Sequence, residues 1–205
     1  MPKYYKKAPF FIRWIYSKAI WSIKTSEKVL FLTFDDGPTE EVTNFVLEEL
    51  KKYNAKATFF CLGYNAENNP KLIDELKDCG HAVGNHSFSH PNGFRTKIGS
   101  YLEDVKKAND IIASNLFRPP YGKMKLRQYK QLVKSFNIIM WDVMSGDFDT
   151  SIDGEQCFKN VVSNAREGSI IVFHDTEQAL PRLKIVLPKV LEYYSDLGYR
   201  FEKLI

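Results

Sequence analysis

Short apolar runs alternate with longer stretches of helical periodicity along most of this chain, and that alternation restricts its fold more than any other feature. The strand candidates are Val29–Phe34, Ala57–Cys61, His81–Asn85, Leu116–Arg118, Asn137–Trp141, Ser169–Phe173 and Arg200–Lys203. Between them, helical patterns run over 39–53, 70–78, 98–114, 125–135, 154–166 and 181–197. The first has Thr39 as its N-cap and Glu40 and Glu41 in its first turn, where acidic side chains complement the helix dipole. Parallel strands need a crossover connection, usually a helix, so a repeated strand-then-helix order predicts an α/β fold on a parallel sheet.

An open sheet and a closed barrel both satisfy that order, and the polar residues favour the barrel. Thr33–Asp36 closes the first strand, His86 and His90 follow the third, and Arg118 and Tyr121 follow the fourth. Asp147 comes after the fifth and His174 closes the sixth. Chemistry gathered at the C-terminal ends of strands is the pattern of a (β/α) barrel, whose loops converge there on one pocket. At 205 residues with 44% hydrophobic content, the chain has material for one core, and no repeat or linker divides it. The cysteines Cys61, Cys79 and Cys157 are odd in number and lack paired spacing, so neither a disulfide framework nor a cysteine zinc site is expected. No run reaches the roughly 18 apolar residues that a membrane-spanning helix requires.

The net charge of +4 is unevenly distributed. Residues 1–24 contain Lys3, Lys6, Lys7, Arg13, Lys18 and Lys24 and no acid, so residues 1–27 read as a basic, aromatic helical extension ahead of a domain spanning 28–205. Ile12, Ile15, Tyr16, Ala19 and Ile23 follow helical spacing. Such a helix either packs across one end of the domain or lies on an anionic membrane surface. Arg13 and Lys18 interrupt the apolar run FFIRWIYSKAIW, so a cleavable signal peptide is not expected, and the predicted location is cytoplasmic or peripheral at the inner membrane face.

Within the candidate site, HSFSH at 86–90 spaces two imidazoles four apart. On a helical turn that spacing puts both on one face, able to hold one metal ion. Taken alone this spacing is common; the complement is what gives it weight. A catalytic zinc site typically adds one more protein ligand, and FDDG supplies a carboxylate. If Asp36 binds the ion, the neighbouring Asp35 can stay ionised beside it and accept a proton from water. Arg118, stiffened by Pro119 and Pro120, is placed to hold Asp35. His174, at the end of the apolar run IIVF, is the candidate proton donor to a leaving group.

Taken together, TFDDGP at 33–38, HSFSH at 86–90, RPPYG at 118–122, WDVMSGDF at 141–148 and IIVFHD at 170–175 resemble the motifs of the polysaccharide deacetylase family, in family order. This family is the NodB-homology domain, or carbohydrate esterase family 4, and the resemblance spans roughly residues 28–204. It implies a distorted (β/α)7 barrel and metal-dependent hydrolysis of N-acetyl groups on N-acetylhexosamine-containing glycans. By that pattern Asp35 is the general base, and Asp36, His86 and His90 bind a divalent metal, usually Zn2+, with Co2+ or Ni2+ as alternatives. Arg118 holds Asp35, the Tyr121 backbone N–H stabilises the oxyanion, and His174 is the general acid, tuned by Asp147. The fourth motif departs from the family's Asp-x-x-Asp-Trp, with Met144 for the first Asp and Phe148 for the Trp. Alternative readings are a deacetylase or deformylase of a lipid-linked sugar at the membrane surface, and a degenerate glycan-binding module. No nucleic-acid partner is indicated.

Overall fold

The sheet grows outward from strand β1, Val29–Asp35, all seven residues of which are buried. A strand covered on both faces has no solvent side on which to alternate, which is why VLFLTF reads as a continuous apolar run. The computed structural model describes residues 10–205. After α1 (Phe10–Ile15) and β1 come α2 (Glu40–Lys52), β2 (Ala57–Cys61), α3 (Gly63–Asn68), α4 (Pro70–Asp78), β3 (Ala82–Asn85), α5 (Ile98–Ile112) and β4 (Leu116–Phe117). A 3-10 turn at Pro120–Gly122 leads to α6 (Leu126–Leu132), β5 (Asn137–Ile138), β6 (Val143–Met144), α7 (Gly154–Val162), β7 (Ile170–His174), α8 (Leu180–Asp196) and β8 (Arg200–Phe201).

These strands form one sheet in the order β5-β4-β3-β2-β1-β7-β6, with β8 added beside the start of β1, and every pairing between them is parallel. The sheet curls into a half-barrel, the distorted (β/α)7 barrel of the sequence analysis, folded as a single α/β domain. Its register sets the strand ends level: Asp35 lies opposite Phe60 on β2 and opposite His174 on β7, while Cys61 lies opposite Asn85. One rim therefore receives the loops that follow every strand. On the helix-covered face, Phe34 stacks between Phe59 and Phe173, with ring centroids 5.0 and 5.7 Å away. The apolar stripe of α8, Leu180, Leu183, Val186, Leu187, Val190, Leu191 and Tyr194, covers this layer.

Two elements were invisible to periodicity. Strand β6 is two residues long, and α3, with sequence GYNAEN, is too short and polar to show an apolar stripe. Thr39 does precede α2, but its hydroxyl donates to the Asp175 carbonyl (3.0 Å) and does not cap the helix.

The N-terminal segment departs from a helix running through residue 23. Helix α1 ends at Ile15, and beyond it Ile20–Ile23 runs across the seam between β5 and β6. There Ile20 N–H donates to Ile138 O, Met140 N–H to Ile20 O and Ile23 N–H to Gly168 O, each at 2.8 Å. Tyr16, Ala19 and Trp21 are buried, whereas Trp14 and Ile15 are exposed. Arg13 Nη2 reaches the fully buried Asp142 at 2.5 Å, and Asp142 also accepts from Ser169 Oγ at 2.9 Å. Because buried Trp21 belongs to the apolar cluster of Tyr16, Tyr129, Ile138 and Met140 beside this seam, Trp21→Ala is expected to cost about 3 kcal/mol of stability, measured by urea unfolding. A variant of wild-type stability would show that the seam does not depend on this ring.

Candidate active site and metal centre

Asp35 and Asp36 are adjacent in the chain yet face different partners. Asp35 ends β1 and is nearly fully buried, with its Oδ1 accepting from Arg118 Nη1 at 2.7 Å. Asp36 has a left-handed backbone (φ 79), which turns its carboxylate away from Asp35's partner and toward two imidazoles. His86 Nε2 and His90 Nε2 stand 3.3 and 3.2 Å from Asp36 Oδ1. This division of direction gives each of the two neighbouring carboxylates its own partner.

Several contacts lock the turn after Asp36. Gly37 N–H donates to Asp175 Oδ1 at 3.0 Å, and Thr43 Oγ1 donates to Asp175 Oδ2 at 2.7 Å. A Cβ at Gly37 would lie 2.0 Å from Asp175 Oδ2, so only glycine permits this approach. Burial pushes the Asp175 carboxyl up to about 7 against these hydrogen bonds. On the other side, Asn65 Nδ2 donates to the Asp36 carbonyl at 2.7 Å.

The imidazoles are presented differently from the sequence expectation. HSFSH is not a helical turn: Ser87 (φ 72) and His90 (φ 58) adopt left-handed backbone, and it is this bend that brings the two rings together. His86 donates Nδ1–H to the Arg118 carbonyl at 2.8 Å, since a carbonyl only accepts, and its Nε2 lone pair is thereby turned to Asp36. The ligand atoms of Asp36, His86 and His90 lie within 4.8 Å of one another. Asp36 Oδ1 is buried and has no hydrogen bond among the described residues. Lone pairs that converge on a buried, unsatisfied carboxylate oxygen need a cation between them, so the residues fit a divalent metal. Burial opposes ionisation of Asp36, and the carboxyl is held well below the usual carboxylate range only when the facing Nε2 atoms carry protons, the positive charge that a metal ion would replace.

Arg118 is wholly buried across the barrel interior. Besides Asp35, its guanidinium donates to Thr33 Oγ1 (2.7 Å) and to the carbonyls of Ile139 (3.4 Å) and Met140 (3.1 Å), and it lies 4.2 Å above the Phe60 ring. Burial lowers its pKa, while Asp35 opposes that shift. Met144, where the family pattern has an acid, is buried on β6, so Asp35 is the one carboxylate in ion-pair contact with Arg118 among the described residues.

His174 stands across the rim, level with Asp35. Asp147 accepts from the His174 ring at Nδ1 (2.8 Å) and from its backbone N–H (2.7 Å), and Ser145 Oγ donates to the same carboxylate at 3.0 Å. Burial lowers the imidazole pKa, but Asp147, aided by Asp36 and Asp35, raises it to about 9. The Phe148 ring lies edge-on to His174, centroids 5.0 Å apart. The exposed Tyr121 ring rests on His90 at 4.4 Å, which sets residue 121 beside the histidine pair. All eight residues singled out in the sequence thus meet at one rim. Asp175 escaped that selection although it directly follows His174.

The family model described as polysaccharide deacetylase matches residues 22–141. The chain belongs to the polysaccharide deacetylase family. It is 35% identical over 181 residues to a peptidoglycan-N-acetylglucosamine deacetylase of Bacillus cereus, covering 84% of this chain and 66% of that relative. With the peptidoglycan-N-acetylmuramic acid deacetylase PdaC of Bacillus subtilis it shares 34% identity over 185 residues, 87% of this chain and 38% of that one. It therefore spans only part of either relative. Among solved structures, a peptidoglycan N-acetylglucosamine deacetylase in complex with 4-naphthalen-1-yl-N-oxidanyl-benzamide superposes with a TM-score of 0.87 at 32% identity, covering 96% of this chain and 95% of that one.

The Asp147 carboxylate sets the His174 charge. In the metal-free protein, His174 is expected to titrate near 9 by NMR, and Asp147→Asn to lower it, because burial is then opposed only by the lesser effects of Asp36 and Asp35. A raised histidine pKa contributes stability that is complete below 6.5 and lost as pH rises through about 9, and this slope should be reduced in urea unfolding of the variant. Gly37→Ala is expected to displace the Asp36 turn and weaken zinc binding at least tenfold, read by calorimetry. Unchanged affinity would mean that the Gly37–Asp175 approach does not hold Asp36.

Proposed function

We propose that this chain is a divalent-metal-dependent hydrolase that removes N-acetyl groups from N-acetylhexosamine units of a peptidoglycan-type glycan. One observation carries the reading: two adjacent carboxylates are aimed apart, Asp36 at the imidazole pair and Asp35 at Arg118, with the His174–Asp147 pair level with them on the rim. A pure binding module has no need of a base on one side of a metal site and an acid on the other. The curated relatives named above, deacetylases of peptidoglycan sugars, support the substrate class.

Asp36, His86 and His90 would hold a divalent ion, zinc in this reading, which would supply Lewis acidity to the hydrolysis. Asp35 accepts the proton of the attacking water, and the Arg118 guanidinium fixes its Oδ1. The backbone N–H of Tyr121 donates to the developing oxyanion. His174, protonated up to about pH 9 by Asp147, transfers its proton to the departing amine. The Phe148 ring covers one side of His174 and limits water there.

The test is metal analysis combined with acetate release from chitooligosaccharides and peptidoglycan fragments. Asp35→Asn is expected to keep its metal and lose about 10²–10⁴-fold in rate, whereas His86→Ala loses both. Wild-type turnover by Asp35→Asn would refute the base assignment, and metal binding with no turnover on any amidosugar would favour the binding module.

Exposed Trp14 and Ile15, close in sequence to the exposed Lys18 in the basic N-terminal segment, support a second element of the reading. In it, this face contacts an anionic membrane surface, as a deacetylase or deformylase of a lipid-linked sugar would require. Trp14→Glu is expected to release the protein from anionic vesicles without changing hydrolysis of soluble substrates. Vesicle binding undiminished in this variant would rule the contact out.

A further inference from the structure

We propose that Asp104, on α5 and outside every motif of the site, is a positioning residue of the metal centre, fixing the 87–90 turn that presents His90. This rests on the metal reading above and deepens it.

The two histidines are held by different means. His86 directly follows β3, its backbone N–H donates to Cys61 O (2.9 Å), and its ring is tied to the Arg118 carbonyl (2.8 Å). The imidazole of His90 has no such tie among the described residues: it meets Asp36 Oδ1, the His86 ring and the Tyr121 ring. The place of His90 therefore depends on the backbone that leads to it. That backbone is left-handed at Ser87 and again at His90, conformations that persist in non-glycine residues only where the surroundings fix them.

Asp104 supplies much of that constraint. Its Oδ1 accepts from the backbone N–H of Phe88 (2.8 Å) and of Ser89 (3.2 Å), and its Oδ2 accepts from Ser89 Oγ (2.6 Å). On the opposite side of the turn, the N–H groups of Gly63 and Tyr64 donate to the carbonyls of Ser87 and Phe88 (2.8 and 3.1 Å). The turn is thus gripped through its carbonyls by α3 and through its amides by one carboxylate. Removing that carboxylate leaves two amides without an acceptor and lets the left-handed pair relax, carrying His90 away from Asp36. Groups behind metal ligands commonly govern affinity by ten- to a hundredfold.

The experiment measures zinc affinity of the full chain by calorimetry, with the visible spectrum of the Co2+-loaded protein as a second readout. Asp104→Ala is expected to raise the zinc dissociation constant about tenfold or more and to change the Co2+ band shape. Asp104→Asn, whose amide oxygen still accepts from both backbone N–H groups, should remain within about threefold of wild type. Asp104→Ser, too short to reach the turn, provides a second test should the alanine variant not fold, and is expected to behave as that variant should. The zinc-induced rise in Tm, taken from each variant's own metal-free melting point, should shrink in the alanine and serine variants and be kept in the asparagine variant. Wild-type zinc affinity in the alanine or serine variant, or equal losses in the asparagine and alanine variants, would overturn the assignment. Absence of zinc binding by the wild type would instead overturn the metal centre itself.

Discussion

Arg118 is the residue on which the rest of the site depends. A guanidinium buried in a barrel is tolerable only when its charge is matched and its donors are occupied, and here Asp35, Thr33 and two main-chain carbonyls meet that demand. The same residue's own carbonyl accepts from His86. One side chain thus orients the proposed base, and one peptide group fixes the tautomer of a proposed metal ligand. Neither function can be altered without disturbing the other, because both belong to a residue pinned at the end of β4 by Pro119 and Pro120.

The electrostatics of the rim follow from this arrangement. Three carboxylates gather here, Asp35, Asp36 and Asp147, and each faces a different neighbour: Arg118, the imidazole pair, and His174 with Ser145. The groups are close enough to shift one another, yet oriented so that base and acid occupy separate ends. Asp175 lies beneath the Asp36 turn with its carboxyl raised by burial, where it acts as a main-chain acceptor and takes no part in the proposed proton transfers.

Much of this was legible from residue types. An acidic pair after an apolar strand, an arginine stiffened by prolines and a histidine ending a strand all carry their chemistry in a local pattern, and parallel register brings such strand ends to one rim. Other features had no local signal. The spacing of His86 and His90 suggested a helix, but two left-handed residues between β3 and Pro91 override that periodicity. Asp104 lies mid-helix in α5, where it looks like any solvated acid, and only the tertiary fold shows what it faces. Strand β6 is too short to produce alternation. The basic N-terminal stretch showed its charge and its aromatics, but not that Ile20–Ile23 would become part of the sheet.

The seam between β5 and β6 ties the geometry of the proposed base to the chain's leading segment. Met140 offers its N–H to Ile20, while its carbonyl, with that of Ile139, receives the guanidinium of Arg118. Fraying that begins at Ile20 therefore has a two-bond path to the residue that aims Asp35. Loosening the leading segment by gentle heating or tension reaches the proposed base while most of the barrel is still intact.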